Sequence, residues 1–179
     1  NRIKDLQTSF TKNTKSELND VVFTTKKNKL SDANIYIITV PTPLNEDNSP
    51  DLSKIKSATE LVAKYLNEGN IVIYESTVYP GVTKKFASQL ISKNSSYKIG
   101  KNIFFGYSPE RENPGDKNFS YQTTPKVVSG YSDICLNLMQ NIYKIISKKV
   151  FSTNTLEEAE TSKLLENLYR SINIGLVNE

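Results

Sequence analysis

Three short apolar runs, the first two of which are each followed by a segment with helical spacing, constrain the fold of this 179-residue chain more than any other feature. The runs occupy residues 35–40, 71–74 and 103–105. An unbroken apolar run bounded by polar residues is typical of a strand that is buried on both faces of a sheet. Further short strands are predicted at residues 126–129 and 149–151. This alternation favours an α/β fold, in which a parallel sheet carries helices on both faces through right-handed crossovers.

Helix signals fill the segments between the predicted strands. Asp51 is expected to be the N-cap of the first helix, and Gly69 is expected to stop it. A second helix is predicted after Pro80-Gly81, and Ser132 is predicted to cap a third. The spacing predicts that the third helix turns inward Ile134, Leu138, Ile142 and Ile145.

The C-terminal segment carries a polar row on a predicted helix. Lys163, Asn167 and Arg170 are spaced i, i+4 and i+7, so a helix points them the same way. Thr155 and Glu158 form a capping-box pattern just upstream. Beside the row runs an apolar stripe, expected to be buried, of Leu165, Leu168, Ile172 and Leu176. The row suits an anionic, oxygen-rich ligand, although a solvated helix face explains the same spacing.

Polar residues follow three of the predicted strands at the edge where α/β sheets collect ligands. Residues 40–43 read Val-Pro-Thr-Pro, and Thr42 offers a hydroxyl to a sugar or phosphate oxygen. Residues 75–77 read Glu-Ser-Thr and precede a helix N-terminus, a setting that suits phosphate or ribose. Residues 108–111 read Ser-Pro-Glu-Arg. A proline-rich turn and ordinary helix caps explain the first two segments equally well.

Composition narrows the chemistry. The chain has no histidine, so the commonest general base and the commonest metal ligand are both absent, and we predict no metal site. The single Cys135 excludes an internal disulfide and is compatible with a reducing cytoplasm. Net charge is +4, but the basic residues are dispersed, and the one dense group, residues 26–29, is expected to be a solvated loop. No apolar run approaches the roughly 20 residues of a membrane span.

Both ends of the sequence have helical patterns without the residues that usually begin or end a helix. The first residues begin within a helical pattern that has no cap. The last helix is still apolar-periodic at Ile174, Leu176 and Val177, with no glycine, proline or cationic turn to stop it. We therefore expect this sequence to be a piece of a longer polypeptide.

Taken together, four stretches give the chain its resemblance to the nucleotide-sugar 6-dehydrogenases, the UDP-glucose/UDP-N-acetylhexosamine dehydrogenase family. It is most similar to the bacterial Vi-antigen and O-antigen type, which oxidises UDP-N-acetylglucosamine or a related sugar. The stretches occur in the family's order and cover residues 40–52, 75–81, 106–116 and 166–179. The resemblance implies a partial Rossmann-like NAD-binding domain at residues 1–153, followed by the start of a long central helix at residues 154–179.

The resemblance also implies a reaction. An alcohol is oxidised through an aldehyde to an acid, a four-electron change that uses two NAD molecules in turn. A cysteine captures the aldehyde as a thiohemiacetal, which is oxidised to a thioester and then hydrolysed. The implied substrate is a UDP-N-acetylhexosamine, and the product serves capsule or O-antigen synthesis in a bacterial cytoplasm.

Site residues follow from the resemblance, position by position. NAD contacts are implied for Val40, Pro41, Thr42, Ser76 and Thr77. Glu110 would assist thioester hydrolysis, and Thr77 would lie near the reacting water. Lys163 and Asn167 would stabilise the developing oxyanion, a role in which one lost donor typically costs a few kcal/mol of barrier. Substrate contacts are implied for Glu110, Arg111, Glu112, Asn113, Lys163, Asn167 and Arg170.

Three departures from the family pattern matter. This sequence contains neither the family's N-terminal Gly-rich phosphate loop nor its acidic ribose-binding residue, so we expect the isolated chain to bind NAD weakly or not at all. The Gly-flanked nucleophilic cysteine is also absent. Cys135 lies among Ile134, Leu136 and Leu138 and is expected to be a buried structural thiol. Some family members place a second glutamate where this chain has Pro114. The isolated chain is therefore expected to be inactive.

Two alternatives remain open from the sequence. One is a β-hydroxyacid or 6-phosphogluconate-type dehydrogenase, which shares the sheet and a Lys/Asn pair on a comparable helix. Pro114-Gly-Asp116 and Arg170 favour the sugar-nucleotide branch. The other is a non-catalytic module that binds polyanions, supported only by the basic charge. We expect a UDP-sugar substrate, no nucleic-acid or membrane partner, and a homodimer in the full-length protein.

Overall fold

A computed structural model of the chain describes residues 21–110 and 124–178. The chain divides into two units, Asn1–Asp32 and Ala33–Glu179. The described part of the first unit contains a 3-10 helix at Lys27–Asp32, none of whose residues is buried. The dense lysines at residues 26–29 are therefore solvated, as predicted.

The second unit is built on a five-stranded sheet whose strands follow one another in chain order. They are β1 (Ile35–Ile38), β2 (Ile71–Tyr74), β3 (Phe104–Tyr107), β4 (Lys126–Gly130) and β5 (Val150–Ser152). β1, β2 and β3 are parallel, and β5 is parallel to β4. The α/β architecture is thus confirmed. One detail differs, because β4 pairs antiparallel with β3, with Tyr107 opposite Ser129.

Burial along the strands shows where the core lies. All four residues of β2 are buried, as expected for a strand covered on both faces. β1 alternates instead, and its Ile35 and Ile37 are nearly half exposed. The prediction that the first apolar run is buried on both faces was therefore wrong. β1 pairs on one side only, with β2, among the described residues.

Four α-helices accompany the sheet in the described residues of this unit. They are α1 (Ser53–Ala63), α2 (Ser88–Asn94), α3 (Asp133–Ile146) and α4 (Leu156–Asn178). Ile71 and Ile73 of β2 pack with α3, whereas Tyr74 bonds Thr59 of α1 at 2.7 Å. Successive strand side chains point to opposite faces, so α3 and α1 cover opposite faces of β2. Helices therefore lie on both faces, as predicted.

Helix boundaries agree with most of the predicted signals. The N-cap position of α1 is Leu52, one residue later than predicted, but the Asp51 carboxylate still accepts from the Ser53 amide at 2.8 Å. α1 ends at Ala63, so the prediction that Gly69 stops it was wrong: Gly69, at φ +87°, lies in a turn six residues beyond the helix. The Ser132 side chain caps α3, as predicted, by accepting from the Cys135 amide. After Gly81, at φ +95°, the chain forms a π-helix at Val82–Ala87 that leads directly into α2.

The inward face of α3 differs from the prediction. Its buried residues are Cys135, Met139 and Tyr143, while Ile134 and Ile145 are exposed. The predicted Leu138 and Ile142 are partly buried against the same core, which also includes Ile71, Ile73 and Val128. Two strand glycines determine the face, because a Cβ at Gly106 would overlap Met139 and one at Gly130 would overlap the α3 backbone.

α4 is anchored at its beginning and exposed afterwards. One half of the predicted capping box is present, because Thr155 Oγ1 accepts from the Glu158 amide at 3.2 Å; the Glu158 carboxylate accepts from the Asn154 amide at 2.9 Å rather than from that of Thr155. Leu156, Ala159 and Glu160 are the buried residues of α4. The stripe predicted to be buried is exposed: Leu165, Leu168, Ile172 and Leu176. In the described parts of the chain, no helix is long and apolar enough to cross a membrane.

Candidate functional site

A cleft of about 360 Å³ opens where β1 and β2 end. This volume lies within the range of small-molecule sites, and the carboxyl ends of parallel strands are where open α/β sheets bind ligands. Its lining consists of Thr39, Val40, Pro41, Thr42, Glu75, Ser76, Thr77 and Glu110. The five predicted NAD-contact residues are all in that set, together with Glu110.

Two hydroxyls tie together the loops that follow β1 and β2. Thr42 Oγ1 donates to the Thr77 carbonyl at 2.6 Å, and Ser76 Oγ donates to the Val40 carbonyl at 2.7 Å. Because each hydroxyl has a single proton, both oxygens are left as acceptors toward a ligand. This differs from the expectation that Thr42 offers its hydroxyl to a sugar or phosphate oxygen. A ligand with N–H or O–H groups suits these atoms better.

Glu75 is a cleft residue to which sequence reasoning gave no role. Its side chain is largely buried, and one carboxylate oxygen accepts from the Tyr143 hydroxyl at 2.5 Å. Nearby, the Tyr107 hydroxyl donates to the Ser76 carbonyl at 3.2 Å. Burial raises the pKa of Tyr107, so this hydroxyl remains a protonated donor at neutral pH. The charged residue directly after a buried strand was the available signal for Glu75.

Glu110 lies three residues beyond β3, and lysines from two other elements contact it. Lys126 Nζ, from the first residue of β4, is 2.5 Å from Glu110 Oε2. Lys163 Nζ, from α4, donates to the Glu110 backbone carbonyl. The Glu110 side chain is about one-third exposed, whereas that of Lys126 is fully buried. Lys126 was not identified from the sequence, although a lysine opening an apolar strand is an unusual choice.

The polar row of α4 is divided by the structure. Lys163 is half-buried and reaches Glu110. Asn167 and Arg170 lie on the following turns, where both are exposed and neither lines the cleft. The structure therefore brings together Glu110 and Lys163, but not the other two members of the row. Of the remaining predicted substrate contacts, Arg111, Glu112 and Asn113 lie outside the described residues.

Glu160, one turn before Lys163, joins α4 to the segment that follows Thr77. Its carboxylate accepts from the Gly81 amide at 2.5 Å and from the Thr83 amide at 2.8 Å. The side chain is fully buried. Burial raises the pKa of Glu160, and the hydrogen bonds from Thr83 and Gly81 oppose that shift in part. Sequence reasoning missed this residue, although a carboxylate facing a Pro-Gly helix start has a clear electrostatic rationale.

Cys135 has the structural character predicted for it. It is fully buried in α3, and its Sγ accepts from the Ser132 hydroxyl at 3.3 Å. It belongs to the buried face of α3 beside Met139 and Tyr143. A thiol without solvent access is not a candidate nucleophile.

Comparison with known proteins identifies the family of this chain. Residues 3–147 match the model of the UDP-glucose/GDP-mannose dehydrogenase family, NAD binding domain. The chain is 40% identical over 164 residues to UDP-N-acetyl-D-glucosamine 6-dehydrogenase of Pseudomonas aeruginosa, which covers 91% of this chain and 39% of that protein. It is 38% identical over 184 residues to protein CapL of Staphylococcus aureus, which covers 99% of this chain and 43% of that protein.

A solved structure supports the same assignment. UDP-D-ManNAc dehydrogenase from Pyrococcus horikoshii superposes with a TM-score of 0.81 at 35% identity, covering 87% of this chain and 37% of that chain. The chain spans about two fifths of the length of the curated relatives it matches. These matches favour the nucleotide-sugar dehydrogenases over the β-hydroxyacid dehydrogenases and over a polyanion-binding module. The chain belongs to the UDP-glucose/GDP-mannose dehydrogenase family, and residues 3–147 match its NAD-binding domain.

Proposed function

We propose that the complete polypeptide containing this chain oxidises a UDP-N-acetylhexosamine, such as UDP-N-acetylglucosamine, at C6 to the uronic acid with NAD. The family to which the chain belongs and the activities named for its relatives support this reaction. Residues 1–153 would form part of the NAD-binding domain, and residues 154–179 would begin the central helix. The product would serve capsule or O-antigen synthesis in the cytoplasm, and the complete enzyme would be a homodimer that binds neither nucleic acid nor membrane.

One contact carries the proposal: Lys163 of α4 reaches Glu110, which lines the cleft where the parallel strands end. A dehydrogenase that also hydrolyses a thioester needs a fixed cation and a carboxylate beside the same reacting carbon. A purely structural lysine on a solvated helix face would have no reason to reach that loop.

The cleft suits part of the cofactor. Thr42 and Ser76 present acceptor oxygens, and Pro41 stiffens the loop that carries Thr42. These acceptors match the amide and hydroxyl donors of a nicotinamide riboside. We place Val40, Pro41, Thr42, Ser76 and Thr77 against NAD. When bound there, NAD would accept two electrons in each of the two oxidation steps.

The residues of this chain would then act on the sugar carbon. The Lys163 ammonium stabilises negative charge on the C6 oxygen, with Asn167 as a second donor. Glu110 takes a proton from the water that attacks the thioester, and Thr77 helps to hold that water. The cysteine that carries the thioester is not in this sequence, because Cys135 is buried away from the site.

Substrate binding is proposed for a wider group of residues. The group consists of Glu110, Arg111, Glu112, Asn113, Lys163, Asn167 and Arg170. The two arginines supply planar cations for the diphosphate of the UDP-sugar. Asn167 and Arg170 are exposed on α4, so they are accessible to a ligand.

The test is a Glu110→Gln variant of the complete polypeptide, incubated with UDP-N-acetylglucosamine and NAD. We expect uronic-acid formation to fall about 10²-fold or more and a thioester adduct to accumulate, because the water loses its base. Intact-mass spectrometry detects the adduct. Glu46→Gln, which changes an exposed glutamate in the loop after β1, is the matched control and should behave like the parent. Undiminished product without adduct would contradict the role of Glu110.

A further inference from the structure

We infer that Lys126 is a positioning residue that fixes the carboxylate of Glu110 in the cleft for the hydrolytic half of the reaction. This inference rests on the proposed function, because it assigns Lys126 a role only through Glu110. Neither the sequence motifs nor the family resemblance singled out Lys126. Its role follows from where β4 places it.

The structure pairs a buried ammonium with a carboxylate of the cleft lining. Lys126 is the first residue of β4, and its side chain has no exposed surface. Its Nζ lies 2.5 Å from Glu110 Oε2. The antiparallel pairing of β4 with β3 places this end of β4 on the side of the sheet where β3 leads into Glu110.

Stability does not explain the pair. Removing an ammonium from water is costly, and a buried ion pair is often no more stable than apolar side chains of similar volume. The neighbouring strand residues Val127 and Val128 are apolar and buried. An apolar residue at position 126 would serve that environment at least as well. The charge of Lys126 is therefore better explained by its effect on its partner, Glu110, which lines the cleft.

Two lysines divide the control of Glu110. Lys163 binds its backbone carbonyl and Lys126 binds its carboxylate. A glutamate has three rotatable side-chain bonds, so a bonded carbonyl alone leaves the carboxylate free to turn. The second bond removes that freedom, and displacing a reacting group by about 1 Å can cost about 10²-fold in rate. Glu110 is thereby held at both ends.

The test is Lys126→Met in the complete polypeptide, which removes the charge and keeps the length of the side chain. We expect kcat to fall about 10- to 10²-fold, KM for NAD and for UDP-sugar to change less than about threefold, and the thioester adduct to accumulate as in Glu110→Gln. A merely structural role would not select the hydrolytic step. The double variant should be no slower than Glu110→Gln alone, because both changes act on one group.

Controls separate this inference from the proposed function. Lys149→Met changes an exposed lysine just before β5 and should leave turnover and adduct at parental levels. A parent enzyme that fails to oxidise any UDP-N-acetylhexosamine would remove the proposed function itself. An active parent whose Lys126→Met variant keeps the parental rate without adduct, or whose double variant is slower than Glu110→Gln by the full factor of the single change, would overturn only the role of Lys126.

A measurement that uses no Lys126 variant covers the case in which Lys126→Met does not fold. Nitrogen NMR of the complete polypeptide, with labelled lysine, should show a Lys126 Nζ signal that exchanges slowly with water. That signal should shift or broaden in Glu110→Gln, which alters only the partner. A Lys126 signal identical in the parent and in Glu110→Gln would overturn the inference.

Discussion

Glu110, three residues beyond β3, and Glu160, in the second turn of α4, have carboxylates in different environments. Glu110 is partly exposed, lines the cleft and has a lysine as its partner. Glu160 is fully buried, and its carboxylate accepts hydrogen bonds from two neutral donors, the backbone amides of Gly81 and Thr83. The first arrangement suits a group that meets a ligand. The second suits a group that holds two elements together.

Lys163 links the two regions. It lies one helical turn after Glu160, and it contacts Glu110. Glu160 fixes the first turns of α4 to the segment after Gly81, and this placement carries the Lys163 ammonium to the cleft. Substitutions around Glu110 should therefore change turnover, whereas substitutions around Glu160 should first change stability.

The largest expected effect is that of Lys163→Ala in the complete polypeptide. We expect UDP-sugar oxidation to fall about 10³-fold or more, because the oxyanion loses a fixed donor. The unfolding midpoint in urea should change little, since alanine favours helix and Glu160 still anchors α4. Lys144→Ala, in the exposed last turn of α3, is the matched control. Turnover near the parental rate would show that Lys163 does not stabilise the oxyanion.

Much of this comparison was accessible from sequence, and the reason differs between its two ends. Glu110 and Lys163 belong to recognisable motifs, and the Thr155–Glu158 capping box marked the start of α4 correctly. Glu160 and Lys126 carry no motif. Their partners are two backbone amides and a residue in a distant loop, and tertiary structure alone brings these groups together.

Features of the fold that depend on local sequence were also predictable, whereas those that depend on tertiary packing were not. Local pattern sufficed for β2 and for the Ser132 cap. The direction of β4 depends on the long connection from β3, which no periodicity encodes. The inward face of α3 was predicted wrongly because the spacing of its isoleucines assigned Ile134 and Ile145, rather than Met139, to the buried face. The close approach that Gly106 permits is a property of the packed pair.

Glu160→Ala is expected to have the next largest effect, this time on stability. Two amides, of Gly81 and Thr83, lose a charged acceptor, and bonds to charged groups contribute about 1.5–3 kcal/mol each. We expect the free energy of unfolding of this chain to fall by about 3–5 kcal/mol in urea titrations. Glu46→Ala, an exposed glutamate, is the control. A loss below about 1 kcal/mol would show that the buried carboxylate does not anchor α4.

The pH dependence of stability tests the buried environment of Glu160. Burial raises the pKa of Glu160 in the folded chain above its value in the unfolded chain. Between those two values the folded state binds more protons, so this group contributes stability at low pH that is lost as pH rises through the folded pKa. The free energy of unfolding of the parent minus that of Glu160→Gln should therefore decrease as pH rises from about 4.5. A difference that increases with pH would contradict the assigned direction.

The smallest effect is expected for Lys84→Ala, which tests an exposed bridge between the same two elements that Glu160 joins. Lys84 Nζ lies 3.5 Å from Glu157 Oε1, and the Lys84 side chain is 50% exposed. Water and salt screen such a pair, so we expect a loss below about 1 kcal/mol that becomes smaller in 0.5 M salt, an ionic strength at which the Debye length is roughly 4 Å. Lys85→Ala, at the exposed next residue, is the control. A loss as large as that of Glu160→Ala would mean that charge at the surface, rather than buried hydrogen bonding, holds the first turns of α4 in place.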